Sequence, residues 1–145
     1  MKLETRFNGI VEYKEDQVIF FKKGLPGFEN LKEFILFPLE GNEIFSILHS
    51  TEDMNIGIPV MSPFSACKEY EFKLSDEIRE ELNVKSPEDV LVLTTVTINS
   101  NYKNITTNLK APLVINIKEK IGEQIILEKE DYKIKYPIFQ EENRC

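Results

Sequence analysis

Short runs rich in Val, Ile, Phe, Tyr and Thr recur at close spacing along this chain, separated by glycine, proline, asparagine and charged residues. Short apolar runs of this composition bounded by turn residues are the signature of strands, so the pattern predicts an all-β, mostly antiparallel domain, a small barrel or sandwich with one or two short helices. Strands are expected from Leu3 to Phe7, Ile10 to Tyr13, Gln17 to Phe21, Phe34 to Leu39, Ile44 to Ser50, Ile56 to Val60 and Tyr70 to Leu74. Further strands are expected from Val90 to Asn99, Lys103 to Asn108, Leu113 to Ile117, Gln124 to Leu127 and Tyr132 to Tyr136, with the Val90 strand central. Asn8-Gly9 supplies a two-residue hairpin signal, and Lys120 to Gly122 is expected to turn a late hairpin.

The succession of strand-like runs is interrupted at three places. Gly24-Leu25-Pro26-Gly27-Phe28 combines two glycines that accept positive φ with a proline that fixes its own φ and drives Leu25 extended. It reads as a shaped turn that directs Leu25 and Phe28 into the core, followed by a helical turn at Glu29 to Lys32. Ser75 before Asp76 and Glu77 is a helix start, a capping hydroxyl followed by acids against the positive end of the dipole, with the helix ending near Leu82. Ser86-Pro87-Glu88-Asp89 repeats that logic with proline at the first helical position. Residues 1–139 are read as one domain and 140–145 as a flexible tail.

Composition narrows the function classes. With 145 residues, 18 basic and 25 acidic side chains and a formal net charge of −7, most of the surface opposes a phosphate backbone, so no direct nucleic-acid partner is expected. The acidity is concentrated: Glu69 to Asp89 holds eight acids against three bases, a local net of −5. That segment is either a solvated face or a surface for a cationic protein. The chain begins Met1-Lys2-Leu3-Glu4, without the apolar core of a signal peptide, and no apolar run approaches the roughly 18 residues of a membrane span, so a cytoplasmic protein with no membrane partner is expected. Two cysteines, Cys67 and Cys145, show no ligand spacing for zinc.

Candidate chemistry is sparse. His49 is the single histidine, in a strand-end context where the adjacent Ser50 faces the opposite side, so the pair makes no nucleophile and base; His49 is expected half-exposed. There is no glycine-rich phosphate loop, and no catalytic, metal or cofactor residues are assigned. Phe7, Phe20, Phe34, Phe45 and Phe72 fall in strand patterns and are expected in the core rather than as a stacking platform for bases. Loops Thr51 to Ile56 and Ser62 to Lys68 mix apolar and polar residues and suggest a protein-binding patch around Met54 and Phe64, with plugging of the barrel end as the plainer role of Phe64.

Phe21 to Phe28, Leu48-His49-Ser50 with Asp53, Pro63-Phe64 leading to Tyr70-Glu71-Phe72, and Asn108-Leu109-Lys110-Ala111-Pro112-Leu113-Val114-Ile115-Asn116 together resemble the flagellar assembly factor FliW family, from about Leu3 to Phe139. The resemblance implies a non-enzymatic, barrel-like cytoplasmic protein, expected to be monomeric when free, that exchanges partners. Such proteins bind flagellin and bind the translational regulator CsrA, relieving repression of flagellin synthesis. The implied antagonism acts away from the RNA surface of CsrA. On the charge reading, Glu69, Glu71, Asp76, Glu77, Glu80 and Glu81 are the candidate partner-binding acids, with Met54, Ile56 and Phe64 as apolar anchors; no family motif marks these positions. A flagellin-only chaperone and a small-ligand-binding barrel are the alternatives.

Overall fold

A computed structural model describes residues 1–128 and 130–139. Seven strands close into a barrel: β3 (Ile19–Phe21), β4 (Glu33–Pro38), β5 (Phe45–Ser50), β6 (Gly57–Met61), β7 (Val90–Thr97), β9 (Leu113–Asn116) and β10 (Ile121–Gln124). Neighbours run β7-β6-β5-β4-β3-β10-β9, and β9 returns to pair with β7, which closes the ring. Every pairing is antiparallel except β3 with β10. The short strands β8 (Thr106–Thr107) and β11 (Tyr136–Pro137) continue the sheet beyond β7. A separate hairpin, β1 (Lys2–Thr5) with β2 (Gly9–Glu12), is tied to the barrel by the Arg6 amide donating to the Met54 carbonyl at 3.0 Å. The helices are α1 (Pro63–Ala66) and α2 (Asp76–Glu81).

Strand alternation divides the apolar residues into two clusters. Phe21, Phe34, Leu48, Val60, Leu93, Leu113 and Ile115 form one, which fills the barrel with side chains; Phe21 meets Phe34 edge-to-face at 5.6 Å. The second holds Phe45, Met61 and Val96 from the opposite strand faces, covered by Ala66 and Tyr70 and by Ile105, Leu109, Leu127, Tyr136 and Ile138. All four residues of β9 are buried, as expected for a strand covered on both faces.

Several expectations change. The first hairpin is closed by three residues, since Thr5 pairs with Gly9; Gly9 takes φ +69°, and the Thr5 hydroxyl donates to the Gly9 carbonyl at 2.6 Å. Phe7 therefore sits in the loop, 77% exposed beneath the Arg6 guanidinium, and Phe20 points outward on the short β3, so neither is core; Phe34 and Phe45 are buried as expected. In place of a helical turn from Glu29 to Lys32, a single turn is centred on Glu29 and Asn30, with the Leu31 amide on the Phe28 carbonyl at 3.0 Å. His49 is 2% exposed, lies within hydrogen-bond distance of the Ser50 carbonyl through Nδ1 at 2.7 Å and stacks on Phe37. The late hairpin turns earlier, at Ile117 to Lys120, because Lys120 takes the positive φ while Gly122 lies in β10 against Phe21, where a Cβ would fall 2.7 Å from the ring. The expected strand from Gln124 to Leu127 is accordingly displaced toward the amino terminus.

Tyr70 to Leu74 is not a strand: among the described residues it has no partner strand, and the hydrogen bonds it makes beyond Tyr70 are to Tyr132, whose hydroxyl accepts from the Glu71 amide and donates to the Glu71 carbonyl, both at 3.0 Å. Lys103 to Asn108 shrinks to β8 after a 3-10 turn at Tyr102–Asn104, and Tyr132 to Tyr136 retains only Tyr136 in β11. The expected tail from Gln140 to Cys145 lies outside the described residues.

Candidate partner-binding surface

Glycine and asparagine fix the loops that frame the surface. Gly24 and Gly27 take φ +66° and +86°, and the Phe28 amide closes a turn on the Leu25 carbonyl at 2.7 Å, which buries Leu25 and leaves Phe28 half-buried. The Ser50 hydroxyl accepts from the amides of Glu52 and Asp53, each at 3.0 Å. Asn108 accepts from the amides of Lys110 and Ala111, each at 3.1 Å. The recurring serine and asparagine positions thus shape turns, by the local side-chain-to-backbone bonding these residues favour.

Asn116 does more. Its buried amide donates to the carbonyls of Leu82 at 2.7 Å and Asn83 at 3.1 Å, while its oxygen accepts from the amides of Lys118 and Glu119. One side chain therefore pins the carboxyl end of α2 to the β9–β10 turn. At the other end the Ser75 hydroxyl accepts from the Ile78 amide at 3.2 Å, the expected cap. The acidic helix is held at both ends, with its carboxylates turned to solvent.

Those carboxylates are not equivalent. Asp76 pairs with Arg79, and Glu81 pairs with Lys23 at 3.5 Å. Glu123 also pairs with Lys23 and, as the foremost cause, holds that lysine above the ordinary lysine range. Asp89, buried, meets Lys118 at 3.1 Å. Glu69, Glu71, Glu77, Glu80 and Glu88 have no cationic partner among the described residues and are exposed. They carry the uncompensated field.

A groove of about 630 Å³ brings Phe64, Glu71 and Arg79 together with Tyr70, Phe72 and Val92. Phe64, 46% exposed on α1, packs edge-to-face on Tyr70 at 5.9 Å, and the Tyr132 ring lies 4.6 Å from that of Tyr70. The Tyr70 hydroxyl donates to the Leu109 carbonyl at 2.7 Å, and burial pushes its phenol well above the ordinary tyrosine range. Met54 and Ile56 lie elsewhere: they precede β6 while Phe64 follows it, and five strand residues separate the two loops by roughly 13 Å. Of the expected apolar anchors, the groove takes in Phe64 but neither Met54 nor Ile56. Met54 faces the β1–β2 hairpin through its carbonyl, and the half-buried Ile56 accepts from the Ser50 amide at 2.9 Å. Sequence reasoning missed Tyr132, Lys23 and Asn116 as supports of the surface, because each acts on residues at least 30 positions away. Among the described residues no three or more His, Cys, Asp or Glu side chains are placed to hold a metal, and no helix is long and apolar enough to cross a membrane.

A filled, closed barrel bearing a capped acidic helix and a partly aromatic groove defines a small scaffold protein with its distinctive features on the outer surface. The FliW protein family model matches residues 2–138. The chain is 63% identical over its whole length to the complete flagellar assembly factor FliW of Clostridium tetani (strain Massachusetts / E88), and 60% identical over 97% of its length to 99% of the flagellar assembly factor FliW of Clostridium novyi (strain NT). A crystal structure of the flagellar assembly factor FliW superposes with a TM-score of 0.90 at 34% identity, covering 98% of this chain and 99% of that one. The chain belongs to the FliW family of flagellar assembly factors.

Proposed function

We propose that this chain is a non-enzymatic, cytoplasmic partner-switching regulator: it binds flagellin and, when flagellin is exported, binds the translational regulator CsrA and relieves its repression of flagellin synthesis. The observation that best supports this reading is the set of exposed, uncompensated carboxylates Glu69, Glu71, Glu77, Glu80 and Glu88 within one segment, of which Glu71 lines the groove with the exposed Phe64. A face of this sign docked near a cationic RNA-binding surface lowers the potential that attracts phosphates within a Debye length of about 8–10 Å. RNA is then repelled without being touched. Glu77 and Glu80 act most strongly in this picture, because Asp76 and Glu81 are screened by Arg79 and Lys23.

The test is a three-way competition. A preformed complex with CsrA is titrated with flagellin while CsrA release is followed, and the same complex is assayed for RNA displacement with the Asp76→Lys, Glu77→Lys, Glu80→Lys variant. Release by flagellin and weakened RNA displacement by the folded variant are expected. Failure to bind either partner would overturn the reading, and undiminished RNA displacement by the variant would overturn the electrostatic mechanism.

A further inference from the structure

The groove beside Phe64 contains an open sheet edge. The Ile117 amide bonds the Asp89 carbonyl, which fixes the alternation of the antiparallel β7–β9 ladder: Asp89, Leu91 and Leu93 face β9, and Val90 and Val92 direct their backbone groups the other way. On that other side β7 pairs with β6 only through Thr94 and Thr95, opposite Met61 and Val60. The next position in register belongs to Pro63, which has no N–H and opens α1, so the chain leaves the sheet just where Val92 needs a partner. The Val90 amide is used by the Pro87 carbonyl. The Val90 carbonyl and both backbone groups of Val92 have no strand partner among the described residues.

A second row of free groups borders the same groove. No protein hydrogen bond reaches the backbone amides of Phe72, Lys73 and Leu74 among the described residues, and these three line the groove together with Val90 and Val92. Unpaired edge groups of this kind template the addition of a strand. Charge selects the occupant. Although the chain as a whole is acidic, Lys73 and Lys85 line the groove without a carboxylate partner among the described residues, and Glu71 is the carboxylate that opposes them.

We infer that this groove binds an extended peptide segment of another protein, which adds as a strand to the open edge of β7, alternates apolar and polar residues, and carries carboxylates that meet Lys73 and Lys85. The inference goes beyond partner switching, since it commits to how a segment is bound and to its chemistry, whichever protein supplies it.

The probe is a phage-displayed library of random dodecapeptides selected on the full-length chain. Enriched sequences are expected to alternate β-branched or aromatic residues with polar ones and to carry Asp or Glu at one end. Enrichment should disappear on the Lys73→Glu, Lys85→Glu variant, whose exposed substitutions leave the fold intact. A synthetic peptide from the selection should slow hydrogen exchange of the Val92 amide at least tenfold. N-methylation of its alternate amides, in at least one of the two alternations, should weaken binding at least tenfold. Selection of nothing, or of sequences with helical i, i+3, i+4 periodicity, would overturn the inference. So would two N-methylated peptides binding as well as the parent, or Val92 protection that rises with protein concentration alone, which would assign the edge to a second copy. No flagellar partner enters the assay, so its outcome is separate from that of the competition above.

Discussion

Gly24 and Gly27 offer a test of close packing within a single turn. Both have positive φ, +66° and +86°, so Gly24→Ala and Gly27→Ala incur the same left-handed backbone cost, about 1–2 kcal/mol. Both also gain about 0.4–1 kcal/mol because alanine restricts the unfolded chain, and this cancels between them. They differ in what the new methyl meets. At Gly27 nothing lies within 4 Å, whereas at Gly24 the Cβ falls 2.6 Å from both Cα and the carbonyl oxygen of Glu29. Those are backbone atoms, so no rotamer change relieves the overlap and the turn itself must shift, at about 1–3 kcal/mol.

Gly24→Ala is therefore expected to destabilise the protein by about 2 kcal/mol more than Gly27→Ala. Urea unfolding reads the difference: with a slope of about 2 kcal/mol/M, the midpoints should separate by about 1 M. Lys23 adjoins the moved turn, so Gly24→Ala should also loosen its pairs with Glu81 and Glu123. Equal midpoints at unchanged slope would show that Glu29 yields freely and would refute the argument.

Asn116→Asp removes the donors to Leu82 and Asn83 and leaves a buried carboxylate facing two carbonyls; a loss of about 2–3 kcal/mol is expected by thermal unfolding, with faster hydrogen exchange in α2. Tyr132→Phe deletes both bonds to Glu71 and should cost about 1–2 kcal/mol in the same assay while increasing amide exchange at Glu71. Glu52 accepts from the amides of Glu33 and Lys32, which hold its carboxyl below the ordinary value of 4.5. A depressed folded pKa gives stability that is present above the unfolded value and lost as pH falls through the folded one, so Glu52→Gln should flatten the decline of the unfolding midpoint below about pH 4.5. Burial raises the phenols of Tyr70 and Tyr136, so alkaline absorbance titration should show a late step, and Tyr70→Phe should shrink that step by one tyrosine.

The strand framework was legible because side chains on the two faces of β4 to β7 enter different apolar clusters, and strands covered on both faces read as short, nearly continuous runs of β-branched and aromatic residues bounded by turn residues. Closure was not. The β3–β10 pairing joins residues about a hundred positions apart, and nothing in either short segment specifies a parallel neighbour. Local signals also misled where tertiary contacts overrode them. Gly122 looked like a turn residue but serves Phe21, which tolerates no side chain there, and Lys120 accepts the strained φ instead. Tyr70 to Leu74 has the alternation of a strand, yet Tyr70 is committed to Leu109 and no neighbouring strand reaches the rest.

The same logic separates the legible part of the surface from the hidden part. Counting residues found the acidic segment and the cap at Ser75, both local properties. It did not find which acids remain uncompensated, because Lys23 and Lys118 come from outside the segment to meet Glu81 and Asp89. Lys118 offsets one charge of the local net of −5, and Lys23, shared with Glu123, offsets part of another, which leaves the residual field on Glu69, Glu71, Glu77, Glu80 and Glu88. If that field repels RNA, single reversals should rank accordingly: Glu77→Lys and Glu80→Lys should each weaken RNA displacement more than Glu81→Lys, whose carboxylate already faces an ammonium. The ranking is read by RNA displacement from the CsrA complex at several salt concentrations, and the differences should shrink as the Debye length falls. Equal effects at all three positions would mean that total charge, and not its pairing, sets the output.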